Sequence, residues 1–292
     1  MDALPLTLVI ISTFMHSTWN ILLRYKGGTQ TCLWRMQLSI VVLGAVPAFI
    51  SLLTYPSITR TAILCLIGSG VSCGFYYFCL ARGYESGDFT TVYPASRALP
   101  VLFIGIGDAF RGHPPNPLGW VGMIFVATGC FFVPLNSLSD FRFNHYWKPV
   151  SLWIVLTAFG TVGYSLFDKI GTEAIPRGPR EAAVYCYFFN LMAFISSFSL
   201  KAFAKKPIKP SSEVGYWIPA IAGILCFLAY WLVLWSYQMV EKASYVVAFR
   251  QFSIVIGVLI AFLLFNEPGK KIRFVGSVVI TAGLLLLKMF GV

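Results

Sequence analysis

TTVYPASRALPVLFIGIGDAF, residues Thr90 to Phe110, is apolar and long enough to cross a bilayer, yet it carries Arg97 inside it and prolines at 94 and 100. A guanidinium at that depth costs about 3 kcal/mol on insertion scales, so it is expected to face a wet cavity or a partner. A second stretch, Ser244 to Phe265 (SYVVAFRQFSIVIGVLIAFLLF), repeats the pattern around Arg250. The remainder of the chain reads as the frame that makes such a cavity feasible.

Composition sets the class. Of 292 residues, 58% are hydrophobic and 11% charged, with mean hydropathy +0.76. A soluble domain carries roughly 25% charged residues. The deficit predicts an all-α polytopic membrane protein, partnered by the lipid bilayer. The net charge of +11 is expected in loops and against anionic lipid. No nucleic-acid motif accompanies it, so no nucleic-acid partner is expected. Cysteines 32, 65, 73, 79, 130, 186 and 226 lie mostly inside apolar runs without CxxC spacing. They read as small packing residues, with neither a disulfide nor a metal site. No cofactor is implied. The start, MDALPLTLVII, lacks a basic segment, and its apolar run continues to Trp19, which predicts a retained helix.

A span needs about 20 apolar residues. Ten stretches qualify: Leu4–Leu23, Cys32–Leu53, Thr61–Gly83, Thr90–Phe110, Leu118–Leu135, Trp147–Phe167, Ala182–Phe203, Gly215–Val240, Ser244–Phe265 and Ile272–Phe290. The connections are too short for a soluble domain, and a bilayer excludes open backbone, so a helical bundle follows. The chain also repeats itself. Tyr76–Gly129 aligns with Tyr230–Gly283. Tyr76 falls on Tyr230, VYPASR on VVAFR, Gly122 on Gly276 and Gly129 on Gly283. Trp19-Asn20 with Arg24 falls on Tyr164-Ser165 with Lys169. Five helices is an odd number, so the second half enters the membrane inverted. This is an architecture of secondary transporters. The repeats are expected at 1–140 and 141–292. Basic residues are more numerous in loops 1–2, 3–4, 5–6, 7–8 and 9–10, which by charge alone places both termini outside.

These features resemble the drug/metabolite transporter superfamily, EamA type. The resemblance rests on the ten helices in two halves and on His16-Ser-Thr-Trp-Asn20. It rests too on the Arg97 and Arg250 motifs of helices four and nine, and on Asn266-Glu-Pro268 followed by Gly276 and Gly283. His113 departs from the pattern, standing where the family has glutamate. The resemblance implies helices 1–4 and 6–9 around a central cavity, with 5 and 10 at the ends. It implies alternating access, and termini in the cytoplasm, opposite to the charge count. A multi-pass location in a cell membrane, with a bacterial inner membrane the expected one, follows.

Two arginines at repeat-equivalent positions, facing one hollow, make a fork suited to carboxylate or phosphonate. The competing reading pairs each with a backbone carbonyl or a headgroup. The expected substrate-binding set is Arg97, Arg250, Trp19, Asn20, His16, Tyr93, Tyr77, Tyr164, Asn190, Trp231 and Gln251, with Pro94 and Pro100 as a hinge. His16 suits a proton relay or plain packing. Asn20, Asn190 and Gln251 suit a site or interhelical bonding. Asp108, Asp168, Glu241 and Glu267 fall near predicted helix ends. Asp168-Lys169 and Glu241-Lys242 read as solvated, which leaves no embedded carboxylate for proton coupling. Gly68, Gly70 and Gly74 read as a close-packing stripe, and Arg35 as a snorkelling residue. The expected function is secondary transport of a small anionic or zwitterionic metabolite, with proton or counter-substrate coupling. Alternatives are export of hydrophobic cations, or a receptor or intramembrane enzyme. The isolated histidines 16, 113 and 145 supply no catalytic cluster.

Overall fold

The apolar runs form helices whose ends follow local chemistry. In the computed structural model, which describes residues 1–25, 30–54, 58–86, 89–133, 135, 149–203, 215–264 and 270–291, all described elements are helical. They are α1 (Ala3–Tyr25), α2 (Gln30–Thr54), α3 (Arg60–Ser86), α4 (Phe89–Phe110), α5 (Pro117–Phe132), α6 (Pro149–Glu173), α7 (Pro179–Phe203), α8 (Trp217–Tyr237), α9 (Ala243–Arg250), α10 (Phe252–Leu264) and α11 (Lys270–Phe290). The helices α9 and α10 are two halves of the ninth span, so ten spans result. Six described segments are apolar and long enough to cross a bilayer on length and composition alone.

Two helix ends show how sequence sets these limits. Gly112, at φ 83°, closes α4. The His113 N–H donates to Asp108 O at 2.9 Å and the Gly112 N–H to Ala109 O at 3.1 Å, the paired bonds of a left-handed glycine cap. Asn116 then starts α5, accepting the Gly119 N–H on Oδ1 at 2.6 Å, with Pro117 in the first turn. Proline fits there because its missing N–H has no helical partner in any case.

Packing repeats with the sequence. The helix α3 lies along α6 as α8 lies along α1, and α5 pairs with α11. At that last contact a Cβ on Gly122 would stand 2.9 Å from Gly283 O, and one on Gly129 2.6 Å from Gly276 O. Exchanging the halves carries Gly122 onto Gly276 and Gly129 onto Gly283, so one contact maps onto the other. This reciprocal contact is the inverted repeat expressed in backbone packing; only glycine permits such approach. Gly70 and Gly74 serve α7 similarly, against Met192 and Ser196, while Gly68 meets Phe167 of α6.

The polarity of the bundle is reversed from that of a soluble domain. Leu53 (80% exposed) and Val46 (67%) face outward, whereas Asp168 (0%) and Lys169 (1%) are enclosed. An outer apolar shell of this extent is stable only against lipid. The seven cysteines are free thiols, six of them buried and Cys226 half-buried.

Two expectations need correction. The sixth span does not end at Phe167. It runs to Glu173 and draws Asp168 and Lys169 into the protein. Both find partners on other helices, which removes the need for solvent. Asp108 stands near the end of α4, as the sequence suggests, and is fully buried there because it caps another helix, as described next. The Glu241 side chain remains 75% exposed.

Candidate functional site

Arg97, near the middle of α4, points across the bundle to both halves. Its Nε donates to Gln251 Oε1 at 3.0 Å, and its Nη1 lies 3.0 Å from His16 Nε2 on α1. On the other side of the imidazole, Trp19 Nε1 donates to His16 Nδ1 at 3.2 Å, with the rings edge to face at 5.0 Å. Arginine and indole are donors only, and a neutral imidazole accepts at one nitrogen only. Trp19 and Arg97 therefore contend for one lone pair.

Arg250 sits at the break in the ninth span. The Gln251 N–H bonds Ala248 O at 2.9 Å and the Ile254 N–H bonds Gln251 O at 2.8 Å. These are tight turns between α9 and α10. The Gln251 side chain turns back to donate to Val247 O at 3.1 Å while accepting from Arg97. The Arg250 guanidinium lies over the Tyr230 ring, 5.2 Å from its centroid. Among the described residues no carboxylate comes within ion-pair distance of it. A half-buried guanidinium held on a ring face keeps its donors available to a ligand.

Aromatic rings join these charges to α6. Tyr164 meets Tyr76 at 5.9 Å and Tyr230 at 6.1 Å, and Tyr77 meets Tyr76 at 5.1 Å. Beneath Tyr230 is Asp168. Its Oδ2 accepts the Tyr230 hydroxyl, and its Oδ1 accepts the Tyr185 hydroxyl at 3.2 Å. Tyr185 reaches it over Gly171, where a Cβ would stand 2.2 Å from the hydroxyl.

The structure thus brings Arg97, His16, Trp19 and Gln251 into one cluster, and Arg250 with Tyr164, Tyr77 and Tyr230 into a neighbouring one. It does not bring the others in through a side-chain contact. Asn20 donates to His16 O at 2.7 Å and Asn190 to Cys186 O at 2.8 Å, each on its own helix. Trp231 donates to Pro179 O at 2.6 Å and stacks on Trp235. The side chains of Tyr93 and Pro94, like that of Arg24, lie outside the described residues, as do Glu267 and His145. The helix α4 runs unbroken through Pro94 and Pro100. Arg35 places its guanidinium over the Tyr216 ring at 4.4 Å.

Charges that sequence reasoning set aside close the end of the bundle that bears the termini. Asp108 accepts the backbone N–H groups of Ala243 and Ser244 at 3.1 and 2.8 Å, capping α9 from α4. Arg111 bridges Asp108 at 3.1 Å and Glu173 at 2.5 Å. Lys169 pairs with Glu173 at 2.7 Å and donates to the carbonyls of Tyr237, at 2.6 Å, and Val240. A lysine at the carboxyl end of α8 is well placed against the helix dipole. The sequence signal was available. Asp168-Lys169 is followed by Ile170-Gly171-Thr172, which extends a helix as readily as it ends one.

Comparison with known proteins agrees with this architecture. The sequence profile of the EamA-like transporter family matches residues 3–135 and again 148–289. A solved structure described only as "Crystal structure of protein" superposes with a TM-score of 0.72, covering 100% of this chain and 98% of that one at 16% identity. At that identity the likeness concerns the fold. No curated protein matches the chain.

Proposed function

We propose, from the premise that this chain belongs to the EamA-like transporter family and is a multi-pass membrane transporter, that it carries a small anionic or zwitterionic metabolite by alternating access. The observation that carries this reading is the Arg250 guanidinium. It is held over the Tyr230 ring, inside the bundle, with no carboxylate partner among the described residues. Arg97, tied to Gln251 and His16 in the neighbouring cluster, supplies the second positive charge of an anion clamp. A carboxylate between the two arginines would accept from both, in the charge-assisted geometry that binds most tightly. Binding at the junction of inverted halves, beside a broken helix, is the arrangement through which rocking exposes one site to each side in turn.

Asp168 gives the alternative reading, export of a hydrophobic cation, a specific observation. It is an embedded carboxylate ringed by aromatic side chains. Against it, both carboxylate oxygens already receive tyrosine hydroxyls, and Arg250 presents positive charge on the approach through Tyr230.

The test begins with a thermal-shift screen of purified protein against amino acids, organic acids and quaternary ammonium compounds. Radiolabelled uptake of the hits into proteoliposomes follows. Stabilisation and uptake of carboxylates, lost in Arg250→Ala, support the anion reading. Stabilisation by quaternary ammonium compounds alone overturns it.

A further inference from the structure

One buried titratable group has no part in the anion clamp, yet touches it. Asp168 is fully enclosed in α6. Its carboxylate is held by Tyr185 from α7 and Tyr230 from α8, with the Ser69 hydroxyl of α3 as a further donor, and Tyr230 carries Arg250 on its ring. Other titratable groups facing it are Cys65 and Cys73 of α3, Cys186 of α7 and Tyr237 of α8. None of these is a cation. From α4, Asp108 and Arg111 meet α6 further along its axis, where Arg111 binds Glu173 and Lys169 is committed to Glu173 and two carbonyls. The positive charge left to compensate an ionised Asp168 is therefore Arg250, joined to it through Tyr230, whose ring carries the guanidinium and whose hydroxyl donates to the carboxylate.

That dependence has a consequence. An enclosed carboxylate is held as an anion by its hydrogen-bond donors together with a compensating charge, and loss of that charge shifts the balance toward the protonated form. When a substrate carboxylate occupies Arg250, the same guanidinium faces two negative groups. The cheaper state is then one in which Asp168 holds a proton. By linkage, protonation of Asp168 in turn strengthens anion binding at Arg250. We propose that Asp168 is a proton-binding site coupled to anion occupancy, so that one proton from the aqueous phase enters with each monoanion and leaves with it. The step is a simple protonation. A water-derived proton joins Asp168 Oδ, the carboxylate becomes a carboxylic acid, and the loaded site gains no net charge. Tyr230 is the positioning residue that joins the two groups. The inference rests on the anion reading of Arg250, but its test does not.

Infrared difference spectroscopy of the purified protein, titrated with pH and without added substrate, reads the protonated-carboxyl stretch directly. In the wild type a band should titrate that is missing from Asp168→Asn, a variant that keeps one acceptor for the tyrosines. In Arg250→Ala, which imitates a neutralised guanidinium, the Asp168 band should persist to higher pH by about one unit or more. In Arg250→Lys it should stay near the wild-type position. Tyr230→Phe, which removes one donor to the carboxylate, should also move it upward. A wild-type band that does not titrate, is unchanged in Asp168→Asn, or is insensitive to Arg250→Ala overturns the proposal. Loss of anion-induced thermal stabilisation with an intact, Arg250-dependent Asp168 band would instead count against the anion reading alone.

Discussion

The two halves of this chain match in frame and differ in chemistry. The contact between α5 and α11 is its own image when the halves are exchanged, down to the glycine facing each glycine. The two arginines occupy equivalent places in sequence but not in bonding. Arg97, on an unbroken helix, is tied to Gln251 and His16. Arg250, at a break, rests on an aromatic face. Backbone packing retains the duplication because both copies of a close helix contact face the same steric limit. The interior diverges into one organised arm and one available arm, a pairing that suits the proposed binding of one ligand between the two copies.

Substitutions that touch the arms and the frame separately should sharpen this contrast. The largest effect is expected from Arg250→Ala, which removes a charge-assisted contact worth about 2–5 kcal/mol. Uptake into proteoliposomes should fall roughly 30-fold or more, with the melting temperature near that of the wild type. Next comes Gly129→Val in the frame. Its Cβ would press on Gly276 O, and overpacking of this kind costs about 1–3 kcal/mol. A lower melting temperature in detergent should result. Gly283→Val, its image when the halves exchange, would press on Gly122 O at the same 2.6 Å and should cost a similar amount; a marked inequality would break the symmetry argument. Asp108→Ala removes the cap of α9, worth about 1 kcal/mol, and frees Arg111 from one partner. Limited proteolysis at the termini-bearing end should quicken. The smallest effect is expected for Tyr216→Leu, which takes the ring from beneath Arg35. A surface cation–π contact contributes about 0.5–1 kcal/mol, and uptake should be unchanged.

Much of the frame was legible because bilayer chemistry is blunt. Runs such as Cys32–Leu53 have no soluble alternative, and Gly122, Gly129, Gly276 and Gly283 stand at repeat-equivalent places. In the candidate site, duplication marked Arg97 and Arg250, while polar or aromatic character inside an apolar span marked His16, Trp19, Gln251, Tyr77 and Tyr164. Asp168 was missed because its partners lie 17 and 62 residues away, and without them an Asp-Lys pair reads as a wet helix end. The break at Gln251 was missed for a related reason. No proline or glycine stands there, while the prolines stand in α4, which runs through them. The tight turn is accompanied by the bond from Arg97, a contact across 154 residues that no local pattern encodes.

Isothermal titration of the carboxylate that gives the largest thermal shift, into wild type, Arg250→Ala and Arg97→Ala, tests the unequal-arms claim most directly. Binding should weaken by roughly 30-fold or more in both variants, with the melting temperature lowered only for Arg97→Ala, because only that arm holds His16 and Gln251 together. Undiminished affinity in Arg250→Ala would contradict it.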